Sequence, residues 1–368
     1  MTASLARDGC VAFGNVVETL RADDERMPVR VTAELTRRCT FACTHCYCRL
    51  PREDAAISAE MRGDEWARIL AEAASEGAVS LLVTGGEPLL HPDFRGIWVA
   101  AKRLGLIPDL YTNASLVTPE VADFLARWPP RRVSITLYGA TEGTHRAMTG
   151  REGMLDRVLE AAGLLRDRGL GVEMKGVFTR TNAHEFAGVR ARCQGEGRPF
   201  RWDAELIGRL KGSHGNPAAV RLPARQIVEL ERSDAVRWAE WGERLASWKP
   251  ARESPESPFR CRIGRSGFHV DPWGILRACE FVETVAYDVR RGSVREGWRR
   301  AIPEALGRFS WSPGPCQKCS LADVCRVCPG RAVASGQPAA GPTEMHCELG
   351  RARACSFGLP ASPRKQRS

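Results

Sequence analysis

The sequence lacks a long apolar segment. No uninterrupted apolar run approaches the ~20 residues of a membrane-spanning helix, and the amino terminus carries no apolar stretch of the kind found in signal peptides. These two absences predict a cytoplasmic protein without a membrane span.

The sequence also lacks a concentrated block of basic residues. Its formal net charge is +10, but lysine and arginine are spread along segments that we expect to form solvated helix surfaces. We therefore expect no nucleic-acid partner, whereas a mildly basic surface would help an acidic peptide to dock.

Cysteine, by contrast, is abundant, with 14 in 368 residues. A reducing cytosol disfavours disulfides, and the cysteine spacings used here recur in metal sites, so metal binding is the predicted role of most of them. Free cysteines are usually small buried hydrophobic residues, which is the prediction for Cys10, Cys193 and Cys355. Cys48 is set apart because it follows Cys46 by two positions.

From Val29 onward, β-like apolar runs alternate with helical segments, which predicts parallel strands joined by crossover helices. The predicted strands are Val29–Leu35, Val79–Thr84, Leu106–Tyr111, Val133–Leu137, Val172–Phe178 and Phe200–Ile207. The predicted helices are Ala59–Glu76, Asp93–Leu104, Pro119–Arg127, Gly153–Arg168, Ala183–Cys193 and Ala224–Trp248. Six such units are fewer than the roughly eight of a closed barrel, so the predicted fold class is α/β with an open, partial (β/α)6 TIM barrel.

Composition divides the chain into five predicted parts. They are an N-terminal arm (1–27), the partial barrel (28–208), a helical linker (209–258), a cysteine-rich and mostly irregular or α-helical domain (259–357) and a disordered tail (358–368). Ligands of open α/β sheets bind at the carboxyl ends of the strands, so the loops after the barrel strands are expected to share one site.

Three cysteines follow the first strand at C-x-x-x-C-x-x-C spacing: Cys39, Cys43 and Cys46. Three thiolates can hold an iron-sulfur cubane while one iron stays free to bind another ligand. The alternative is a closed zinc site, which His45 would complete as a fourth ligand.

The turn Gly85-Gly86-Glu87-Pro88 follows the second strand. Paired glycines permit unusual φ values and close backbone approach, although the same residues also suit an ordinary strand-to-helix turn. Together, the cysteine loop and this turn resemble the signature motifs of the radical S-adenosylmethionine (SAM) enzymes. The resemblance implies an iron-sulfur cluster that binds SAM, and it implies cofactor contacts for His45, Tyr47, Gly85, Gly86, Glu87, Pro88, Asn113, Ser134 and Thr136.

The C-terminal third contains a second group of cysteines, namely Cys261, Cys279, Cys316, Cys319, Cys325, Cys328 and Cys347. A zinc ribbon is the simpler explanation of C-x-x-C pairs, but seven cysteines exceed the needs of one zinc ion. The arrangement, with Gly274 five positions before Cys279, resembles the SPASM domain of radical SAM maturases. One departure is the two-residue gap between Cys325 and Cys328, where the family has three.

This resemblance implies two auxiliary [4Fe-4S] clusters beside the SAM-binding one. Cys316, Cys319, Cys325 and Cys347 would fully ligate one of them, and Cys261, Cys279 and Cys328 would bind the other. The second auxiliary cluster would keep an open iron, or take a fourth ligand from Cys48, Cys193, Cys355 or a residue other than cysteine.

The leading functional hypothesis is a radical SAM oxidoreductase that modifies a ribosomally synthesised peptide by crosslinking or oxidation, supplied with electrons by a flavodoxin or ferredoxin. A small-molecule dehydrogenase or decarboxylase is the alternative within the same chemistry. A zinc-stabilised binding module without catalysis is the alternative from another class. The sequence identifies no catalytic acid or base; Tyr138 and Cys193 are candidates by chemistry alone.

Overall fold

The computed structural model describes residues 26–51, 53–246, 261, 263–309, 319–325, 328–336 and 343–360. The predicted arm, apart from its last two residues, lies outside this part of the chain, as do most of the predicted tail, Cys10 and Cys316. None of the helices in the described ranges is long and apolar enough to cross a membrane.

Nine strands in the described residues form one sheet with the order β6-β5-β4-β3-β2-β1-β7-β8-β9. They are β1 (Arg30–Glu34), β2 (Ser80–Thr84), β3 (Ile107–Thr112), β4 (Arg132–Thr136), β5 (Val172–Val177), β6 (Phe200–Asp203), β7 (Gly267–Val270), β8 (Ile275–Arg277) and β9 (Ala286–Asp288). Strands β1 to β6 are parallel and adjacent in chain order, which confirms the predicted α/β fold with an open sheet.

Crossover helices cover the outer face of the sheet. The α-helices up to the end of the predicted linker are α1 (Gly63–Ser75), α2 (Phe94–Arg103), α3 (Pro119–Arg127), α4 (Glu142–Thr149), α5 (Met154–Arg166), α6 (Phe186–Gly195), α7 (Pro217–Val220), α8 (Ala224–Ser233) and α9 (Ala235–Ala246). Helix α3 matches its predicted bounds because Thr118 caps the amide of Val121 and Pro119 occupies the first turn.

Two predicted helices differ most from the structure. The first begins at Gly63 instead of Ala59, because Glu60 is extended and its carboxylate accepts hydrogen bonds from the Thr36 hydroxyl and the Arg37 amide. The segment predicted as one helix from Ala224 is broken at Asp234, whose carboxylate accepts a hydrogen bond from the Trp202 indole at 2.7 Å. Both differences arise from side-chain contacts with distant parts of the chain.

The C-terminal region continues the barrel sheet. Strand β7 pairs in parallel with β1, on the side opposite β2, and β8 and β9 extend the sheet in antiparallel fashion. The pattern did not predict these short strands. The remaining helical segments are α10 (Val294–Glu296), a π-helical turn (Gly297–Ala301), α11 (Ile302–Gly307), α12 (Ala322–Cys325), α13 (Pro329–Ala334) and α14 (Glu344–Ser356).

The two faces of each barrel strand differ in polarity. In β4, Val133 and Ile135 are fully buried in the main apolar core, whereas Ser134 and Thr136 line a cavity on the inner face. In β5, Met174 lies in the same core and Lys175 lines the same cavity. Alternation along a strand therefore places polar groups inside the partial barrel and apolar ones against the helices.

A buried ion network joins the C-terminal helix to the rest of the protein. Arg353 on α14 is 1% exposed and its guanidinium donates to both oxygens of Glu231 on α8, at 3.0 and 2.6 Å. The same guanidinium pairs with Glu205 and lies 4.3 Å from the centre of the Trp241 ring on α9. Arg353 is thus the common cation of two carboxylates that follow the barrel.

We expect Arg353→Met to lower the free energy of unfolding by about 3–5 kcal/mol, because the substitution leaves the buried carboxylate of Glu231 without its cation, whereas Glu205 keeps Arg331. Urea unfolding of the cluster-loaded protein, followed by circular dichroism, measures the change. Arg308→Met is the control: its side chain is 80% exposed in a surface pair with Glu304, and it should change stability by less than about 0.5 kcal/mol. Equal losses in both variants would contradict the role assigned to Arg353.

Candidate active site

The cysteine loop lies at the carboxyl ends of the barrel strands. Cys39, Cys43 and Cys46 line one cavity of about 230 Å³, together with residues from β2, β3, β4 and β5. Backbone amides face two of the sulfurs: Phe41 donates to Cys39 Sγ at 3.4 Å and Arg49 donates to Cys46 Sγ at 3.3 Å. Such N–H donors favour the thiolate form, which is the form that binds a metal.

The three thiols differ in electrostatic environment. Burial raises the pKa of Cys39 to about 12 and that of Cys43 well above its usual value, because desolvation disfavours the thiolate. A hydrogen bond from the Cys48 thiol lowers the pKa of Cys46. Buried thiolates need a compensating positive charge, which a cationic iron-sulfur core would supply, so the donor set fits the predicted cluster.

Among the described residues, no three His, Cys, Asp or Glu side chains are arranged to hold a single metal ion. A four-iron cluster does not require such convergence, because each cysteine binds its own iron.

A second loop covers the cysteine loop. The amides of Leu210, His214 and Asn216 donate to the carbonyl oxygens of Tyr47, Arg49 and Thr44, respectively, at 2.9 to 3.2 Å. A Cβ at Gly215 would lie 1.8 Å from the carbonyl oxygen of Cys46, so only glycine permits this approach. The cysteine loop is therefore held by backbone contacts along most of its length.

The glycine pair positions the segment that leads into the cysteine loop. The amides of Gly86 and Glu87 donate to the carbonyl oxygens of Thr36 and Arg38, at 2.7 and 2.8 Å. A Cβ at Gly86 would lie 2.2 Å from the Arg38 oxygen. Gly85 has a φ of 150°, and a Cβ there would lie too close to the Thr36 oxygen. Both glycines are therefore required for close packing of two backbones.

Glu87 organises the next strand end. Its carboxylate is fully buried and accepts hydrogen bonds from the Asn113 amide at 2.7 Å, the Leu89 amide and the Thr112 hydroxyl. Burial raises the pKa of Glu87 to about 7 in spite of these hydrogen bonds. Glu87 and Pro88, which begins a short 3-10 helix, are not among the residues that line the cavity.

Asn113 connects β3 to the cysteine loop. Its side-chain amide donates to Cys39 Sγ at 3.4 Å and to the Thr40 hydroxyl at 2.9 Å, and its Oδ1 accepts from the Ser115 amide. The structure thus places Asn113 against the first predicted cluster ligand. Glu87, by holding the Asn113 backbone, positions it there.

The other predicted cofactor residues lie around the same cavity. Ser134 donates its hydroxyl to Glu173 at 2.9 Å, and Thr136 hydrogen-bonds with Tyr138. The His45 ring lies 4.8 Å from the Tyr138 ring, and burial lowers the pKa of His45 to about 4, so the imidazole is neutral. Sequence analysis had named Tyr138 by its chemistry alone; the structure places it in the cavity wall.

Tyr47 reaches from the cysteine loop to the C-terminal region. Its hydroxyl donates to Glu280 at 3.2 Å, and its ring centre lies 5.6 Å from that of Phe281. Glu280 and Phe281 directly follow Cys279. The two cysteine-rich parts of the chain are therefore in direct contact.

The cavity residues that sequence analysis missed include Tyr111 on β3 and Lys175 on β5. The signal was present: Glu173 and Lys175 alternate with apolar residues in a parallel strand, where near-continuous apolar residues are the rule. Charged residues on one face of such a strand indicate a polar cavity behind it.

The described C-terminal cysteines fall into two groups. Cys261 and Cys328 line a second cavity of about 420 Å³ with Asp203 and Glu205. Burial is the larger cause of the raised pKa of Cys279, and charge on Cys328 or Cys261 raises it further, so the three thiols lie near one another. Burial raises the pKa of Cys347, and charge on Cys319 raises it further, so these two thiols are also near each other. Cys325 packs against α14, where a Cβ at Gly350 would lie 2.6 Å from the Cys325 Cβ.

The cysteines suggested as a fourth ligand lie in three different places. Cys48 is buried and hydrogen-bonds with Cys46. Cys193 on α6 is part of the main apolar core, and Cys355 on α14 is exposed.

Comparison with known proteins gives one family match and several relatives. Residues 33–184 match the Radical SAM superfamily. The PqqA peptide cyclase of Xanthomonas axonopodis pv. citri is 29% identical over 317 residues, which cover 81% of each chain. The AdoMet-dependent heme synthase of Methanosarcina barkeri is 25% identical over 326 residues, covering 84% of this chain and 93% of the synthase.

Among solved structures, Streptococcus suis SuiB bound to the precursor peptide SuiA superposes with a TM-score of 0.67. The superposition covers 90% of this chain and 78% of SuiB at 16% sequence identity, which shows a shared fold. The family match falls on the residues that form the cysteine loop, the glycine turn and strands β2 to β5. The chain therefore contains a radical SAM domain at residues 33–184, and it shares the fold of SuiB over 90% of its length.

Proposed function

We propose that this enzyme modifies a peptide by radical chemistry that starts from SAM. The observation that supports this most strongly is the convergence of three partly buried thiols, the glycine pair and Asn113 on one cavity. The PqqA peptide cyclase is named for a peptide substrate, and SuiB was crystallised with a precursor peptide, so a ribosomally synthesised peptide is the substrate class we propose.

In this proposal Cys39, Cys43 and Cys46 hold a [4Fe-4S] cluster. When bound, a cluster with one open iron would chelate SAM and supply the electron that cleaves it to a 5'-deoxyadenosyl radical, which takes a hydrogen atom from the substrate. The chain orients the ligands: backbone amides face the sulfurs, and Asn113 fixes Cys39. Because the amides of Gly86 and Glu87 are already paired, the glycine turn has its carbonyl oxygens to offer to the amino group of SAM.

The cavity walls limit access of water to the reacting groups. His45 and Tyr138 pack edge to face beside the cysteine loop, and Ser134 is almost fully buried. Enclosure of the site matters because a carbon radical would otherwise take a hydrogen atom from a group other than the intended substrate position. Ser134 and Thr136 provide hydroxyls for the ribose and adenine of SAM.

We assign the C-terminal cysteines to two auxiliary [4Fe-4S] clusters, one of them sharing Cys261, Cys279 and Cys328. The mutual proximity of these three thiols supports the grouping. An auxiliary cluster would accept the electron that a substrate radical loses, which makes the overall reaction an oxidation or an oxidative crosslink. A flavodoxin or ferredoxin in the cytoplasm would reduce the SAM-binding cluster.

A small-molecule substrate is the second candidate. The AdoMet-dependent heme synthase aligns over 93% of its length and is named for a tetrapyrrole product, so overall likeness alone does not choose between the substrate classes. Anaerobic incubation with SAM, reductant and the short peptides encoded beside this gene distinguishes them. A mass change in one peptide supports the proposal; 5'-deoxyadenosine formation with no change in any peptide favours the second candidate.

We expect Cys43→Ala to lower 5'-deoxyadenosine formation at least ~100-fold. This loss exceeds the loss of activity usually seen when a residue that only contacts a metal ligand is replaced. The reason is that all three thiols are needed to hold a cluster with one open iron. Chromatography of anaerobic reactions with SAM and dithionite measures the product. Cys193→Ala, which removes a buried thiol from the barrel core, should leave the yield unchanged; full activity of Cys43→Ala would refute the ligand assignment.

At the auxiliary site, we expect Cys279→Ala to lower the iron content by up to about four atoms per chain, because one [4Fe-4S] cluster would be lost. The variant should still cleave SAM, although without turning over substrate, because the substitution leaves the residues of the SAM cavity unchanged. Iron analysis and the Mössbauer spectrum of the reconstituted protein provide the readout. Cys355→Ala, which changes an exposed thiol in the same region, is the control. An unchanged iron content in Cys279→Ala would speak against the assignment.

A further inference from the structure

Lys175 is a cation in the SAM cavity without a carboxylate partner. It lies on the inner face of β5 and lines the cavity with Thr136, its register neighbour on β4. Its ammonium sits 3.5 Å from the centre of the Tyr111 ring. Within the described residues, no carboxylate lies within ion-pair distance of this ammonium.

The nearby carboxylate is already occupied. Glu173 accepts hydrogen bonds from Arg132 and Arg201, both at 3.2 Å, and from the Ser134 hydroxyl at 2.9 Å. Arg132, Arg201 and Lys175 are thus three cations near two carboxylates, Glu173 and Asp203, and only the two arginines pair with Glu173. Burial and the neighbouring Arg201 lower the pKa of Lys175 to about 8. An anion in the cavity would relieve this excess of positive charge.

The cations lead from the cavity to the edge of the sheet. Lys175 pairs in register with Arg201 on β6, and β6 is the edge strand of the sheet among the described residues. The Arg201 side chain is 48% exposed and its guanidinium donates to the Tyr111 hydroxyl. A substrate that enters over this edge therefore meets positive charge before it reaches the cavity.

A purely structural role for Lys175 does not explain why it lacks an ion pair with Glu173. An ammonium over an aromatic ring is a stabilising arrangement by itself. However, a lysine needed only for packing would gain more from an ion pair with Glu173, which two arginines hold instead. Cys39, the first predicted cluster ligand, lies beside Asn113 at the end of β3, and Lys175 is on β5, two strands further along the sheet.

We propose that Lys175 binds a carboxylate of the substrate, and that the peptide accepted by this cavity therefore carries an acidic side chain beside the reacting carbon. This inference rests on the proposed function, because it names a feature of the substrate of that same site. Lys175 is a binding and positioning residue in this proposal, with Tyr111 holding its ammonium in place.

The test compares two neutral-backbone probes, N-acetyl-glutamate amide and N-acetyl-glutamine amide, on the SAM-loaded, cluster-reconstituted enzyme. Calorimetry should show about tenfold tighter binding of the glutamate probe, the scale of one charge-assisted hydrogen bond. Lys175→Met should abolish this preference and Lys175→Arg should retain part of it. Lys102→Met, which removes a cation on α2 that donates to the Pro129 carbonyl, should leave it intact.

Two outcomes overturn the proposal. One is a glutamate preference that is absent from the wild type or survives in Lys175→Met. The other is a loss of SAM affinity in Lys175→Met as large as the loss of glutamate preference, which would assign Lys175 to the SAM carboxylate. Dithionite-driven 5'-deoxyadenosine formation is measured in parallel: its absence from the wild type would refute the proposed function, whereas the probe comparison reports on Lys175 alone.

Discussion

The site depends on the contact between two backbones. The turn after β2 lies so close to the segment after β1 that neither Gly85 nor Gly86 has room for a Cβ. This contact fixes the chain at Arg38, one residue before the first predicted cluster ligand. It also buries Glu87, whose carboxylate holds Asn113 against Cys39. One steric constraint thus sets the positions of the cysteine loop and of the neighbouring strand end.

Charge is distributed unequally over the inner face of the sheet. The carboxylates of the C-terminal ion network are paired with arginine, as Glu231 is with Arg353. Among the described residues on the inner face of β4 to β6, in contrast, cations outnumber carboxylates: Glu173 pairs with two arginines, and the Lys175 ammonium lies over the face of the Tyr111 ring. Unpaired buried charge is costly in a folded protein, and it is tolerated where a ligand completes the pairing.

The local parts of the fold could be predicted from the sequence. Strands β1 to β5 and helix α3 were found because their periodicity and caps are encoded within a few residues of each element. The break at Asp234 could not be predicted, since its partner Trp202 is 32 residues away. Strand β7 was missed because a strand of four residues becomes recognisable only when it pairs with β1. The alternation of Glu173 and Lys175 with apolar residues in β5 indicated a polar inner face, but the pairing of Glu173 with Arg132 and Arg201 depends on neighbouring strands.

The contact between Tyr47 and Glu280 bears on how the two cysteine-rich regions cooperate. Each of these residues directly follows a predicted cluster ligand, Cys46 in one loop and Cys279 in the other. Phe281 packs on the Tyr47 ring and against the buried Cys48, so the contact is apolar as well as hydrogen-bonded. Because β7 also joins β1 in one sheet, the C-terminal region is built onto the barrel instead of being tethered to it. In the proposed function, a separation fixed in this way would suit electron transfer between the clusters, because the rate falls steeply as the distance increases.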